Sequence, residues 1–95
     1  MLYVITCKDK PDHLEIRRAN RHHHLEYLGR LEDRIFAAGP TIADDGETMN
    51  GSVLIIDFAD RDAAQDFAAA DPYARAGLFE SVEIRAWKKV LPMEK

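Results

Sequence analysis

The chain has 95 residues, 46% hydrophobic and 32% charged, with a formal net charge of −4 and a pI near 5.5. That length allows one small domain, residues 1–95, with a modest core, and the composition is that of a folded globule rather than a disordered chain. The acidic balance without a basic patch argues against nucleic acid as a partner, and no apolar run approaches the roughly 18–20 residues of a membrane-spanning helix.

Leu2-Tyr3-Val4-Ile5-Thr6-Cys7 is short, apolar and rich in strand formers, and Lys8-Asp9-Lys10-Pro11-Asp12 stops it; it predicts a buried strand. From Asp12 to Arg34 no proline interrupts a pattern in which Leu14, Leu25, Leu28 and Leu31 recur among charges. This predicts one long helix, with Asp12 as N-cap and Glu15 completing a capping-box-like pair. Ile35 to Pro40 predicts a second strand ended by a Gly39-Pro40 turn, and residues 41–50, with Asp44-Asp45-Gly46 and no periodicity, read as a mobile loop. Gly51 to Phe58 is the clearest strand. Asp60 then caps a helix through Ala63, Ala64, Phe67 and Ala68, and Asp71-Pro72-Tyr73 breaks it, Pro72 opening a short following turn. Phe79 to Val90 alternates Val82, Ile84 and Ala86 against Glu83, Arg85 and Trp87, which predicts a last strand.

The N-terminus enters a strand without a basic leader, and the single cysteine, Cys7, can form no internal disulfide. Both features point to the cytoplasm. Cys7 ends an apolar run beside no activating residue, so it reads as a small buried side chain rather than a thiolate nucleophile.

The order β-α-β-β-α-β predicts an α+β, ferredoxin-like sandwich: a four-stranded antiparallel sheet with two helices on one face. The other face then needs a cover, and a second sheet from a twin subunit supplies one, giving a homodimer. Tyr3, Ile5, Trp87 and alternate residues of 53–58 are candidates for that open face.

Turning the first helix by about 100° per residue from Leu28 places Leu14, Leu25, Leu31 and Ile35 within roughly 60° of it. Arg17, Arg21 and His24 fall inside the same arc, at spacing i, i+4, i+7. Burying unpaired Arg and His costs several kcal/mol, so an acidic group should meet them. Asp57, Asp71 or a bound anionic ligand are the candidates; alternatively the helix overhangs the sheet edge and these side chains reach out to solvent. His22 and His23 point elsewhere, and three consecutive helix residues cannot share one metal ion, so no metal site is expected. Asp71-Pro72-Tyr73 by itself reads first as a helix-ending turn whose carboxylate caps the next helix. Gly39-Pro40 reads first as a turn, and its functional reading is a loop whose backbone approaches a ligand.

The pieces together resemble the YciI-like family, the YCII-related domain, a group of small ferredoxin-like dimers of the dimeric α/β-barrel superfamily. The matching elements are Leu2-Tyr3-Val4-Ile5, Arg21-x-x-His24-Leu25-x-Tyr27-Leu28, Ala38-Gly39-Pro40, Gly51-Ser52-Val53, Ala63-Ala64, Ala70-Asp71-Pro72-Tyr73 with Ala76-Gly77-Leu78-Phe79, and Val82-x-Ile84 to Lys89. The resemblance implies a His–Asp active-site pair at His24 and Asp71, and one branch of the family includes a dehydrochlorinase acting on a chlorinated hydroxyquinol. It points to proton transfer without a cofactor, with Arg21 and Arg17 holding an anionic oxygen of a small-molecule substrate. Tyr73, Ser52, Gly39 and Pro40 would line the site. Three functions remain open at this point: a cofactor-independent lyase or isomerase, a non-catalytic module binding a small metabolite in the same cleft, and a purely structural role.

Overall fold

The computed structural model describes residues 1–93 of the chain. In chain order it contains β1 (Leu2–Asp9), α1 (Leu14–Gly29), a 3-10 turn (Glu32–Arg34), β2 (Ile35–Ile42), β3 (Met49–Asp57), α2 (Arg61–Ala70), α3 (Pro72–Arg75) and β4 (Phe79–Trp87). The strands form one sheet in the order β2-β3-β1-β4, and each neighbouring pair is antiparallel. This is the ferredoxin-like βαββαβ arrangement expected from the sequence.

Alternation along the strands decides what lies under the helices. Tyr3, Ile5 and Cys7 of β1 face Ile56, Leu54 and Ser52 of β3 across the ladder. All six are buried, and most join Leu28 of α1 and Ala64 and Ala68 of α2 in a single core. Each fully buried Ile or Leu here contributes about 1.5–3 kcal/mol. The two alanines let α2 lie close to the sheet. Tyr3 and Ile5 therefore belong to the core and not to the open face proposed for them. That face carries the opposite phase, with Leu2, Val4, Val53 and Ile55 half-buried. At one end of it Phe36 meets Trp87 at 5.7 Å between ring centroids, helped by the register shift between Ile35 and Ala37.

Several local expectations change. Asp12 adopts φ 60°, the left-handed region that Asp tolerates better than most residues, so it cannot act as the extended N-cap of α1. His13 takes that position with no side-chain cap bond, and Glu15 pairs with Arg18 instead. The helix stops at Gly29, and the chain to Arg34 continues as turn and 3-10 geometry. Gly39-Pro40 does not end β2. Both lie within it, and the strand runs on to Ile42. A proline is tolerated there because β2 is an edge strand, paired only with β3. β3 likewise begins at Met49, so the loop shrinks to residues 43–48. There the Asp45 carboxylate accepts from the Glu47 and Thr48 backbone N–H groups. β4 ends at Trp87, not Val90. The cap on α2 is as expected, with Asp60 Oδ1 accepting from Ala63 N at 2.8 Å.

Candidate functional site

The inward face of α1 carries Arg17, His24 and Leu28, and each polar member is met by an acid from a different element. Asp71 sits where α2 gives way to α3. Its Oδ1 accepts from Tyr73 N at 2.9 Å, capping α3. The same carboxylate receives His24 Nδ1 at 2.9 and 3.0 Å. Asp71 therefore caps α3 as the turn reading expected, and the same carboxylate also contacts His24. Pro72 needs no N–H at the first helical position, and the fixed turn aims the carboxylate at α1. Asp71 is 2% exposed and His24 6%. An ionised Asp71 makes Nδ1–H the donor, which leaves the Nε2 lone pair as the basic position of the ring.

Arg17 is also 2% exposed. Its Nε and Nη2 donate to the two Asp9 oxygens at 2.7 and 3.0 Å, and Nη2 donates to Ser52 Oγ at 2.9 Å. Burial works against the Arg17 charge, but the Asp9 carboxylate more than offsets it, so the guanidinium is held protonated above its ordinary value. The Tyr73 ring stacks on His24 at 4.0 Å and 16°, and the Arg17 guanidinium lies over that same ring at 4.6 Å. His24 and Arg17 are two helical turns apart, so Tyr73 is inserted between two rungs of α1. Burial raises the Tyr73 phenol above its ordinary value, with Arg17 and Arg21 pulling it part of the way back. Burial also pushes the Cys7 thiol up to about 12, with Asp71 and Asp9 adding to the effect against Arg17. It is a neutral core side chain and no thiolate nucleophile.

These groups wall a cavity of about 80 Å³ between α1 and the β2–β3 edge. Arg17, Arg21, His24, Gly39, Pro40, Ser52 and Tyr73 all line it, while Asp71 stands behind His24. Leu25, Leu28, Ala38 and Met49 give it an apolar wall. Such a mixture of apolar wall and a few convergent polar groups fits a small organic molecule. Arg21 departs from the helix-wheel expectation. It is exposed at the cavity and has no acidic partner among the described residues. Leu25 is 50% exposed and lines the cavity rather than filling the core. Asp57 plays no part, being bound to the N-terminal amine at 2.8 Å.

Asp9, Leu25, Ala38 and Met49 are members that sequence reasoning did not assign to the site. Asp9 was detectable in principle: it continues the inward phase of Tyr3, Ile5 and Cys7, a charged residue where the pattern demands a buried one. Among the described residues no group of three His, Cys, Asp or Glu converges as a metal-binding set. Of the histidine run, His22 pairs with Glu26 at 3.4 Å and only His24 turns inward.

The YCII-related domain matches residues 1–88. A protein called YciI from Escherichia coli is 43% identical over 95% of this chain and 99% of its own length. An uncharacterised protein from Haemophilus influenzae is 42% identical over the same shares. Among solved structures, 5-chloro-2-hydroxyhydroquinone dehydrochlorinase from Burkholderia phenoliruptrix, in complex with 2,5-dihydroxybenzoquinone, superposes with a TM-score of 0.85 at 37% identity, covering 93% of this chain and 94% of that one. A NIPSNAP domain protein from Burkholderia xenovorans, at 18% identity with full coverage of both chains and a TM-score of 0.56, shares the fold alone.

Proposed function

The chain belongs to the YCII-related domain family, and from that premise we propose that it is a small-molecule lyase or isomerase working by proton transfer without a cofactor. The observation that carries this reading is the buried His24–Asp71 contact at 2.9 Å, with the ring facing a cavity. Asp71 holds His24 in the tautomer whose Nε2 can take a proton from a phenolic hydroxyl or a carbon beside a carbonyl. Arg21 supplies a charge-assisted contact for the oxyanion that results. Returning the proton to a different atom completes an isomerisation. Expelling a leaving group as its anion, with the proton released to solvent, completes an elimination. Both balance without an oxidant or a metal. The similarity to a dehydrochlorinase supports the elimination and a compact oxygenated ring as substrate.

A second reading is favoured by Arg21 itself, a cation at an apolar-walled cavity with no acidic partner among the described residues: the same cleft binds a small anionic or aromatic metabolite without turning it over. Turnover separates the two. A screen of hydroxylated and halogenated aromatics should find a substrate whose conversion falls by about 100-fold or more in His24→Ala. Binding without conversion across the screen favours the module, and conversion untouched by both His24→Ala and Asp71→Asn removes the pair from the chemistry.

The protein works in this reading as a cytoplasmic homodimer, paired through the open sheet face that exposes Leu2, Val4, Val53, Ile55 and Trp87 in part. Sedimentation should show a dimer at micromolar concentration, and a stable monomer there would sink the pairing.

A further inference from the structure

The residues around His24 form a buried stack with Arg17 at its far end. The layers run from the Arg17 guanidinium, over the Tyr73 ring at 4.6 Å, to the His24 ring at 4.0 Å and 16°. Tyr73 N closes the circuit by donating to the Asp71 oxygen that also receives His24. At the other end Arg17 donates from Nε and Nη2 to Asp9 and Ser52. The Asp9 side chain is itself only 6% exposed, so this is a largely desolvated bidentate ion pair. Such pairs are costly to form, and an apolar pair of similar volume often replaces them without loss of stability. What the apolar pair cannot supply is a planar, rigidly oriented plate over an aromatic ring.

We propose that Arg17, gripped by Asp9 and Ser52, is a positioning residue that presses the Tyr73 ring flat against His24 and so fixes the imidazole plane over Asp71. Arg17 then acts through the Tyr73 ring, a role separate from the anion contact the sequence suggested for it, while Arg21 also faces the cavity. A base is effective only when its lone pair is held on the line of the proton it takes, and the stack removes the ring rotation that two near-equal bonds from Nδ1 to the Asp71 oxygens would otherwise allow. The inference rests on the reading of His24 as the working base, but its test does not need a substrate.

The test follows the His24 Nδ1–H proton by NMR in the ligand-free protein. In the native chain it should give a sharp, low-field signal, because it is bonded to a buried carboxylate. The double variant Asp9→Leu/Arg17→Met leaves no unpaired charge behind, and a dispersed spectrum shows that it is folded. In it the Nδ1–H signal should broaden and disappear through solvent exchange, and any substrate found should lose kcat by about 10-fold with KM little changed. Should the double variant not fold, Arg17→Lys keeps a cation opposite Asp9 but loses the planar plate, and the same loss of signal is expected. Tyr73→Leu, with Asp9 and Arg17 intact, should reproduce it. A folded variant with an unchanged Nδ1–H signal overturns the proposal, as does a loss of ligand affinity with kcat and Nδ1–H both unchanged, since that is the pattern of a substrate contact. If the signal is lost but the substrate screen finds no turnover, the enzyme reading fails and the positioning role stands.

Discussion

His24 and Asp71 lie 47 residues apart in the chain and meet side chain to side chain at 2.9 Å, and the Asp71 oxygen that receives the imidazole also receives Tyr73 N. One carboxylate thus caps a helix and holds an imidazole. The two duties separate by substitution. Asp71→Ala loses the cap, worth about 1 kcal/mol, and strands a buried ring N–H, worth about 1–3 kcal/mol, so urea denaturation should show a loss of about 2–4 kcal/mol. Asp71→Asn keeps an acceptor for both donors and should stay within about 1 kcal/mol of the native chain. Equal losses in the two variants would contradict the dual role.

Arg21 tests the electrostatics of the cavity without touching the fold. Its exposed guanidinium has no acidic partner among the described residues, so Arg21→Gln should change stability by no more than about 0.5 kcal/mol. A bound nitrophenolate probe should weaken by about 10- to 100-fold, the value of one hydrogen bond to a charged group. Calorimetric titration reads both the native and the variant affinity.

Cys7 gives a signature at alkaline pH. Its thiol titrates near 9.0 in the ordinary state and at about 12 in the folded chain. A raised value means that the folded state keeps a proton the unfolded state gives up, so the contribution to stability is complete below about 9 and is lost as pH rises toward 12. The native chain should therefore lose more stability than Cys7→Ala between about pH 8 and pH 11. Native-state alkylation by iodoacetamide should be slow over the lower part of that range. A parallel decline of the two proteins would contradict the burial of the thiol.

Two glycines of the site region should answer differently to alanine. A Cβ on Gly51 would strike the Cys7 carbonyl oxygen and the Thr41 hydroxyl, because Gly51 pairs with Lys8 of β1 on one side and Thr41 of β2 on the other. The carbonyl belongs to a neighbouring strand and cannot step aside, so Gly51→Ala should cost about 1–3 kcal/mol by chemical denaturation. Nothing lies within 4 Å of a Cβ on Gly39, and Gly39→Ala should be near neutral in stability.

Much of the fold was legible because it rests on local pattern. Apolar runs of strand length, the Asp60 cap and the breaks at Pro11 and Pro72 are chemical events within a few residues of chain. Their order leaves the ferredoxin-like sandwich as the natural solution. The errors sit where context overrides pattern. Pro40 looks like a stop but is harmless on an edge strand. Leu25 fits the apolar arc of α1, yet a cavity lies where a core side chain would have been. Asp12 looks like a cap, but its backbone turns left-handed.

By itself the sequence determined that α1 carries cationic and titratable groups on its inner face and that they require acidic partners, since desolvation sets that demand regardless of fold. It could not determine which acid answers which base. That choice depends on strand register and helix approach, which bring Asp9 to Arg17, Asp71 to His24 and the Tyr73 ring between them, and leave Asp57 at the opposite end with the N-terminal amine. Tertiary structure also left Arg21 exposed at the cavity with no acidic partner among the described residues.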